Sequence, residues 1–301
     1  AGFAEAGHAA LQDELVAVAR AAGIRLVGPN TAGFVNFHHR FAATISMVGD
    51  MQPFLAGGVA FITQSGALGG SMLGRGMEQG VGFSHWVTTG NQADLSAADY
   101  LDHLVDDAQA RVFALFLESV TDPVRFIRAC QRAAQAGKPV VVYKSGASAV
   151  GAASSASHTG ALSGSHRVFD ALCRQYGVIR VDDLADLLPI AKTFAWLGGR
   201  LDLRHQRARR IGIVSASGGI CGVAADECDL AGLEVPELPA GTQARIRSCV
   251  PAFASVRNPV DVTGQIRSSA TGYQDTVRAV LGEDAVDAGL LLVTMAAEPR
   301  A

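Results

Sequence analysis

The stretch VAFITQSGALGG, residues 59–70, decides the fold of this protein. Residues 59–63 suit a buried strand, and they run into a small polar turn and then into the start of a helix, so the stretch predicts a strand–turn–helix unit. A second stretch, IGIVSASGGICG at residues 211–222, aligns with the first without gaps. Such self-similarity predicts a duplicated βα unit.

Strands alternate with helices around both stretches, which predicts a parallel, doubly wound α/β sheet. The predicted strands are 24–27, 59–63, 83–89, 112–118, 139–144, 178–181, 211–215, 233–235 and 288–295. The predicted helices are 8–23, one from about 67, 96–108, one that is capped by Asp122 and begins with Pro123, 165–176, 183–197, one after the 211–215 strand, and 271–282. Linkers are predicted at 36–57 and at the basic segment 197–210.

Composition and charge narrow the class of protein. The chain has 301 residues, enough for two or more domains, and a formal net charge of −3 without a block of Lys or Arg, which argues against nucleic acid and anionic membranes as partners. No apolar run approaches the roughly 18 residues of a membrane span, and the first residues lack the features of a signal peptide. The five cysteines form no C-x-x-C pair, which favours buried, reduced thiols in a cytosolic protein.

Serine–glycine turns follow two of the predicted strands, at 65–66 and at 217–218. The first amides of a helix are unpaired and together carry about half a positive charge, and glycine lets an anion approach the backbone. Each turn therefore favours an oxyanion or phosphate site. Ordinary N-capping of the helix by the serine is the alternative.

The stretch SSASHTGALSG, residues 154–164, places one histidine, His158, among residues with almost no side-chain bulk. It follows the predicted strand 139–144 and so lies at the edge of a parallel sheet where ligands bind. A nucleophilic histidine needs a neutral ring whose other nitrogen is held by an acceptor, and Glu118, at the end of an adjacent strand, is the natural acceptor. The alternatives are a structural histidine and a solvated glutamate. The other histidines are interpreted as solvated, except that His85 is expected to pack in the core.

Together these motifs resemble the NDP-forming (ADP-forming) acyl-CoA synthetase family, which is related to the succinyl-CoA synthetase α subunit. The stretches that carry the resemblance are SHTGALSG after KPVVVYKSG, LFLESVTDPVRF, GIRLVGPNTAGFVN, FITQSGALGGSML, TTGNQADLS and NPVDVTG, and they extend over essentially the whole chain. The resemblance implies an acid–CoA ligase that interconverts acyl-CoA, ADP and phosphate with a carboxylic acid, CoA and ATP through a phosphohistidine.

The resemblance also implies roles for particular residues. His158 carries the phosphoryl group and Glu118 steadies its ring. The implied phosphate-binding residues are Ser65, Gly66, Ala67, Ser217, Gly218, Gly219, Thr159 and Gly160, and the implied CoA-binding residues are Asn30, Gly90 and Asn91. The second turn departs slightly from the family, which often has Thr-Asn where this chain has Ser215-Ala216.

Three domains follow from the resemblance. Residues 1–50 are expected to be the C-terminal part of a CoA-binding Rossmann-like domain plus a linker, 51–200 a flavodoxin-like domain with the phosphohistidine loop, and 207–301 a second, truncated flavodoxin-like domain. The expected cofactors are CoA, and ATP or ADP with Mg²⁺ held by an ATP-grasp domain outside this chain, which we therefore interpret as an excerpt. No metal site is expected within it, and the whole protein is expected to be a cytoplasmic oligomer.

Two other functions compete with the ligase. Related chains are fused to acetyltransferase domains, so this one could be a non-catalytic module that senses acyl-CoA; retention of His158 with Glu118 and both turns favours catalysis. A Rossmann oxidoreductase is disfavoured because no G-x-G-x-x-G follows a strand.

Overall fold

The computed structural model describes residues 9–51, 54–148, 150–151, 165–198 and 209–293. The chain divides into two compact units, with the division between residues 201 and 202. Each unit contains one sheet, and each is described by itself below.

The first unit is built on a seven-stranded sheet of order β2-β1-β4-β3-β5-β6-β7. Its strands are β1 (Gly33–Asn36), β2 (Phe41–Thr44), β3 (Ala56–Thr63), β4 (Phe83–Thr88), β5 (Val112–Leu117), β6 (Val140–Lys144) and β7 (Ile179–Arg180). Strands β3 to β7 run parallel, whereas β1 pairs antiparallel with both β2 and β4. The mostly parallel sheet confirms the predicted fold class.

Helices cover both faces of this sheet. They are α1 (Ala9–Ala21), α2 (Gly66–Glu78), α3 (Ala97–Leu104), α4 (Pro123–Gln135), α5 (His166–Tyr176) and α6 (Leu187–Leu197). Side chains of α3, α4 and α5 form one core with Leu115, whereas α2 and α6 form another with Phe61. Alternate residues of the buried strands face opposite cores, which is why these strands read as continuous apolar runs.

The second unit has a three-stranded parallel sheet of order β10-β8-β9. Its strands are β8 (Ile211–Ser215), β9 (Val260–Asp261) and β10 (Ala288–Leu292), and its helices are α7 (Gly218–Leu230), α8 (Ala240–Cys249) and α9 (Gly272–Leu281). The side chain of Asn258 ties the sheet to its surroundings: its Nδ2 donates to the carbonyls of Ile211 (2.7 Å) and Pro236 (3.0 Å). Its Oδ1 accepts from the amide of Ile213 at 2.8 Å.

The start of the chain differs most from the prediction. Residues 24–27 do not form a strand, because Leu26 bonds to a loop instead: its amide donates to Asp94 Oδ2 at 2.9 Å and its carbonyl accepts from Leu95 N at 3.1 Å. The predicted linker 36–57 was also wrong, since it contains β2 and a 3₁₀ turn at Met47–Asp50. Strands of four residues are too short to show a clear period.

Smaller corrections concern lengths and missed elements. Helix α3 ends at Leu104 rather than 108, and Lys138 Nζ donates to the carbonyls of Val105 (2.6 Å) and Asp107 (2.7 Å) that follow it. The predicted strand 233–235 is only a single bridge between Arg210 and Glu234. Helix α8 and strand β9 were not predicted.

Several local predictions are confirmed. Asp122 caps α4 by accepting from Arg125 N at 2.9 Å, and Pro123 takes the first turn of that helix. His85 is buried, and burial lowers the pKa of its ring. All five cysteines are free thiols, and all but the half-buried Cys249 are buried. Within the described ranges, no helix has both the length and the apolar character needed to cross a membrane.

Candidate functional site

The turn after β3 is an N-cap with amides to spare. Ser65 Oγ accepts from Leu68 N at 3.3 Å, so the serine does cap α2. The amides of Gly66 and Ala67 have no acceptor among the described residues. Gly66 is half-buried and Ala67 exposed, so both amides belong to an accessible helix start that can bind an anion.

The residue before this turn joins two strand ends. Gln64 is buried, and its Oε1 accepts from Ser119 N at 2.9 Å and also from Glu118 N. Its Nε2 donates to Ser119 Oγ at 3.4 Å, and its own amide donates to Phe116 O at 3.1 Å. We call this set of bonds the Gln64 bracket. It fixes the end of β5 beside the end of β3.

Glu118 stands at the outer end of this bracket. It directly follows β5 and is half-buried, so it is not the freely solvated strand terminus considered above. Sequence reasoning placed Gln64 at this edge but gave it no role. The sequence signal that could have indicated this role is a long amide side chain between a buried strand and a serine–glycine turn.

Threonine and glycine set the tight geometry of the same turn. Thr63 Oγ1 donates to Ser65 O at 3.0 Å and accepts from Ser65 N at 3.2 Å. A Cβ on Gly69 would lie 3.0 Å from Thr63 Oγ1, so only glycine lets α2 pack this closely on the end of its own strand. The turn is therefore fixed both by the hydrogen bonds of Thr63 and by the close packing of α2 at Gly69.

The predicted CoA-binding residues are brought together on neighbouring loops. Asn91 N donates to Pro29 O at 2.9 Å, and Asn91 Nδ2 donates to Gln12 Oε1 at 2.9 Å. Gly90 is buried with φ +56°, and a Cβ there would lie 2.6 Å from Asn30 O. Gly90 thus serves the packing of the two loops, while Asn30 is exposed and Asn91 is half-buried.

The second turn, after β8, differs from the first. Ser217 makes no side-chain cap bond, and its amide donates to Ser215 Oγ at 3.2 Å. The amides of Gly218 and Gly219, both exposed, lack an acceptor among the described residues. A Cβ on Gly218 would lie 2.9 Å from Asp261 Oδ2, so a carboxylate flanks the start of α7. Sequence reasoning missed Asp261, although it lies within the NPVDVTG motif.

His158, Thr159 and Gly160 lie outside the described residues. The strand that leads to their segment ends in Lys144, a buried lysine whose Nζ donates to Ser145 O at 3.1 Å and lies 6.0 Å from the centre of the Phe169 ring. Burial lowers the pKa of Lys144. Metal ligands are not gathered in the part of the chain that the structure describes, since it holds no group of three or more His, Cys, Asp or Glu suited to an ion.

Two family models match the chain. A succinyl-CoA ligase-like flavodoxin domain matches residues 56–194, and a ligase-CoA domain matches residues 211–296. The first match contains Gln64, Ser65 and Glu118, and the second contains Ser217 and Asp261. Each model therefore covers one serine–glycine turn.

Curated relatives extend the match over nearly the whole chain. The chain is 34% identical over 289 residues to the α subunit of ADP-forming acetate–CoA ligase II of Pyrococcus furiosus. This alignment covers 95% of the chain and 60% of that subunit. It is also 36% identical over 300 residues to ADP-forming acetate–CoA ligase I of Archaeoglobus fulgidus. That alignment covers 99% of the chain and 42% of the relative. The chain thus spans about half the length of these relatives.

Solved structures agree with the sequence matches. The dinucleotide-forming acetyl-coenzyme A synthetase 1 of Candidatus Korarchaeum cryptofilum, in complex with phosphate and ADP, superposes with a TM-score of 0.83 at 32% identity. The match covers 97% of this chain and 61% of that one. The resemblance found in the sequence motifs is confirmed. The chain therefore belongs to the family of NDP-forming acyl-CoA synthetases.

Proposed function

We propose that the protein to which this chain belongs is an acid–CoA ligase (NDP-forming). It interconverts acyl-CoA, ADP and phosphate with a carboxylic acid, CoA and ATP, and His158 carries the phosphoryl group between the two half reactions. The Gln64 bracket carries this proposal, because it holds Glu118 beside the turn whose Gly66 and Ala67 amides have no acceptor among the described residues. A carboxylate and an anion-binding helix start at one sheet edge suit a histidine that alternates between neutral and phosphorylated states.

The first half reaction forms an acyl phosphate. A phosphate oxygen attacks the thioester carbonyl, and the C–S bond breaks to release CoA. The ring nitrogen of His158 then attacks phosphorus, and the bond between phosphorus and the acyl oxygen breaks, so that the carboxylate leaves with the electron pair. Glu118 accepts a hydrogen bond from the other ring nitrogen and stabilises the positive charge that develops on the imidazole.

The helix starts hold the transferred phosphoryl group. A phosphoryl group carries nearly two negative charges. A helix dipole contributes about 0.3–2 kcal/mol, and a hydrogen bond from a backbone amide to a charged oxygen contributes about 1.5–3 kcal/mol. We propose that Ser65, Gly66 and Ala67 bind phosphate at the first turn and that Ser217, Gly218 and Gly219 bind phosphate at the second. Thr159 and Gly160 are proposed as further phosphate-binding residues beside His158.

The remaining components lie partly outside the chain. We propose that residues 1–50 are the end of a CoA-binding Rossmann-like domain, that 51–200 and 207–301 are flavodoxin-like domains, and that Asn30, Gly90 and Asn91 line the CoA site. We propose that ATP or ADP and Mg²⁺ are held by an ATP-grasp domain or subunit. The whole protein is then a cytoplasmic oligomer. The alternative of a regulatory acyl-CoA sensor gains no support from the ligases that the chain matches.

The proposal is tested by phosphorylation of the whole protein, including its ATP-grasp part, with radiolabelled Mg-ATP. We expect label that survives base and is lost in acid, and we expect its loss in His158→Ala. The matched control is His103→Ala, which removes an exposed histidine of α3 and should keep the label. Undiminished label in His158→Ala would overturn the proposal.

A further inference from the structure

A cavity of about 250 Å³ lies at the amino-terminal edge of the first sheet. We call it the amino-edge cavity. The side chains of Arg111, Lys192 and Trp196 line it, together with bare backbone from the starts of β3 and β4. At about 3.3 Å per residue, β3 separates this edge from Ser65 by about 25 Å, so the cavity is distinct from the proposed catalytic edge.

Glycines open the cavity and seat its two cations. The pairing of β3 with β4 is irregular between Ala56 and Val59, where Gly57 and Gly58 form the cavity floor. A Cβ on Gly58 would lie 2.7 Å from Arg111 Nε, and a Cβ on Gly80 would lie 3.4 Å from Lys192 Nζ. The first distance is shorter than real Cβ contacts and the second is an ordinary contact, so a larger residue at Gly58 would displace the Arg111 side chain.

The Lys192 ammonium is held by a hydrogen bond, and neither cation has a counter-charge among the described residues. Lys192 Nζ donates to Gln79 O at 2.7 Å, and the backbone amide of Arg111 donates to Gly58 O at 2.8 Å. No carboxylate oxygen of a described residue lies within 4.0 Å of either cationic group. Two like charges that face one cavity repel each other, and an anion between them reverses that repulsion.

An aromatic ring stands at the same cavity. Trp196 is 80% exposed, whereas Trp86, the other tryptophan of the chain, is 0% exposed. A large exposed ring beside cations offers a stacking face for a flat ligand group, and burying it on binding contributes favourably. The cavity therefore combines anion recognition with a face for a ring.

We propose that the amino-edge cavity binds a phosphate ester, with the phosphate between Arg111 and Lys192 and the remainder of the ligand against Trp196. A guanidinium matches two phosphate oxygens at once, and an ammonium adds a point charge that does not demand one orientation. The site is independent of the proposed ligase reaction, which uses the opposite edge of the sheet.

The test is a fluorescence titration of the whole protein with AMP, ribose 5-phosphate and adenosine. Wild type and Trp196→Phe are compared, so that their difference isolates the signal of Trp196. Arg111→Gln and Lys192→Gln probe the cations. Arg128→Gln is the control, since it removes an exposed arginine of α4 that has no ion pair among the described residues.

We expect saturable changes with AMP and ribose 5-phosphate that depend on Trp196, and none with adenosine. Loss of one charge-assisted bond should weaken binding about tenfold or more in Arg111→Gln and Lys192→Gln, and Arg128→Gln should bind like wild type. A stronger response to AMP than to ribose 5-phosphate identifies a nucleotide as the ligand, and equal responses identify the phosphate ester alone. No saturation with either phosphate, equal binding of adenosine, or unchanged binding in both cation variants would overturn the proposal.

Discussion

Gln64 and Ser119 are joined by two hydrogen bonds, from Ser119 N to Gln64 Oε1 at 2.9 Å and from Gln64 Nε2 to Ser119 Oγ at 3.4 Å. Both residues are buried, so neither bond can be exchanged for one to water. The relationship makes the polypeptide at Glu118 part of the same rigid edge as the Ser65 turn. The predictions for Gln64, Glu118 and Gly66 depend on that edge.

Gln64→Leu tests the bracket directly. It leaves the amides of Glu118 and Ser119 without their acceptor, and a buried unsatisfied amide costs about 1–3 kcal/mol. We expect the free energy of unfolding to fall by about 2 kcal/mol or more, measured by urea denaturation. Gln64→Glu keeps an acceptor for both amides and should lose less. Equal stability of Gln64→Leu and wild type would show that the bracket does not stabilise the fold.

Glu118→Gln should keep the fold but slow phosphorylation of His158. The amide can still accept a hydrogen bond, but it cannot stabilise a charged imidazolium, and loss of one such electrostatic contact commonly slows a step about 100-fold or more. The measurement is the rate of labelling in rapid-quench experiments, with urea denaturation as the check on folding. A rate equal to that of wild type would show that Glu118 has no role in the phosphorylation of His158.

Replacement of Gly66 by proline removes one amide donor without disturbing the helix. Proline is tolerated at the first helical position, as Pro123 of α4 shows, and Ser65 already has an extended backbone. A Cβ on Gly66 would lie 3.1 Å from Ala32 Cβ, so the substitution is made in an Ala32→Gly background. We expect about tenfold weaker phosphate binding by calorimetry, relative to Ala32→Gly alone. Unchanged affinity would exclude the Gly66 amide as a ligand.

Asp261→Asn probes the second turn. The Asp261 carboxylate flanks Gly218, so it repels an anion that approaches the start of α7. If the proposed phosphate reaches that turn, the substitution should tighten phosphate binding, and the effect should shrink as salt is raised. Asp229→Asn, a change at an exposed carboxylate near the other end of α7, is the control. Identical affinities of both variants would place the phosphate away from Gly218.

Lys144→Met should alter the pH dependence of stability. Burial lowers the folded-state pKa of Lys144 below its ordinary value of 10.5. Between these two pKa values the unfolded chain holds more protons, so the Lys144 contribution to the free energy of unfolding rises with pH in that window. The difference between wild type and Lys144→Met, measured by urea denaturation from pH 7 to 10, should therefore shift in favour of wild type as pH rises. A difference that is independent of pH would contradict the buried cation.

The prediction from sequence succeeded where the signal was local. Strand β3, the Ser65 cap and the Asp122 cap follow from patterns within a few residues. The Gln64 bracket could not be predicted, because it joins residues more than 50 positions apart whose proximity depends on the strand order. Asp261 was missed for the same reason: a strand of two residues has no period, and its carboxylate meets Gly218 only through the β8–β9 pairing.

Thr31 and Ala32, the two residues before β1, connect the segment of Asn30 to β4 and to the start of α2. Thr31 Oγ1 lies 2.7 Å from Thr88 Oγ1, Ala32 N donates to Thr88 Oγ1 at 2.8 Å, and Ala32 packs against Gly66 at the start of α2. The segment that carries Asn30 is therefore in contact with the start of α2, where the Gly66 and Ala67 amides can bind an anion. If a ligand at Asn30 shifts this segment, it changes the affinity of the α2 start for an anion. By thermodynamic linkage, the anion then changes the affinity for the ligand at Asn30 by the same factor.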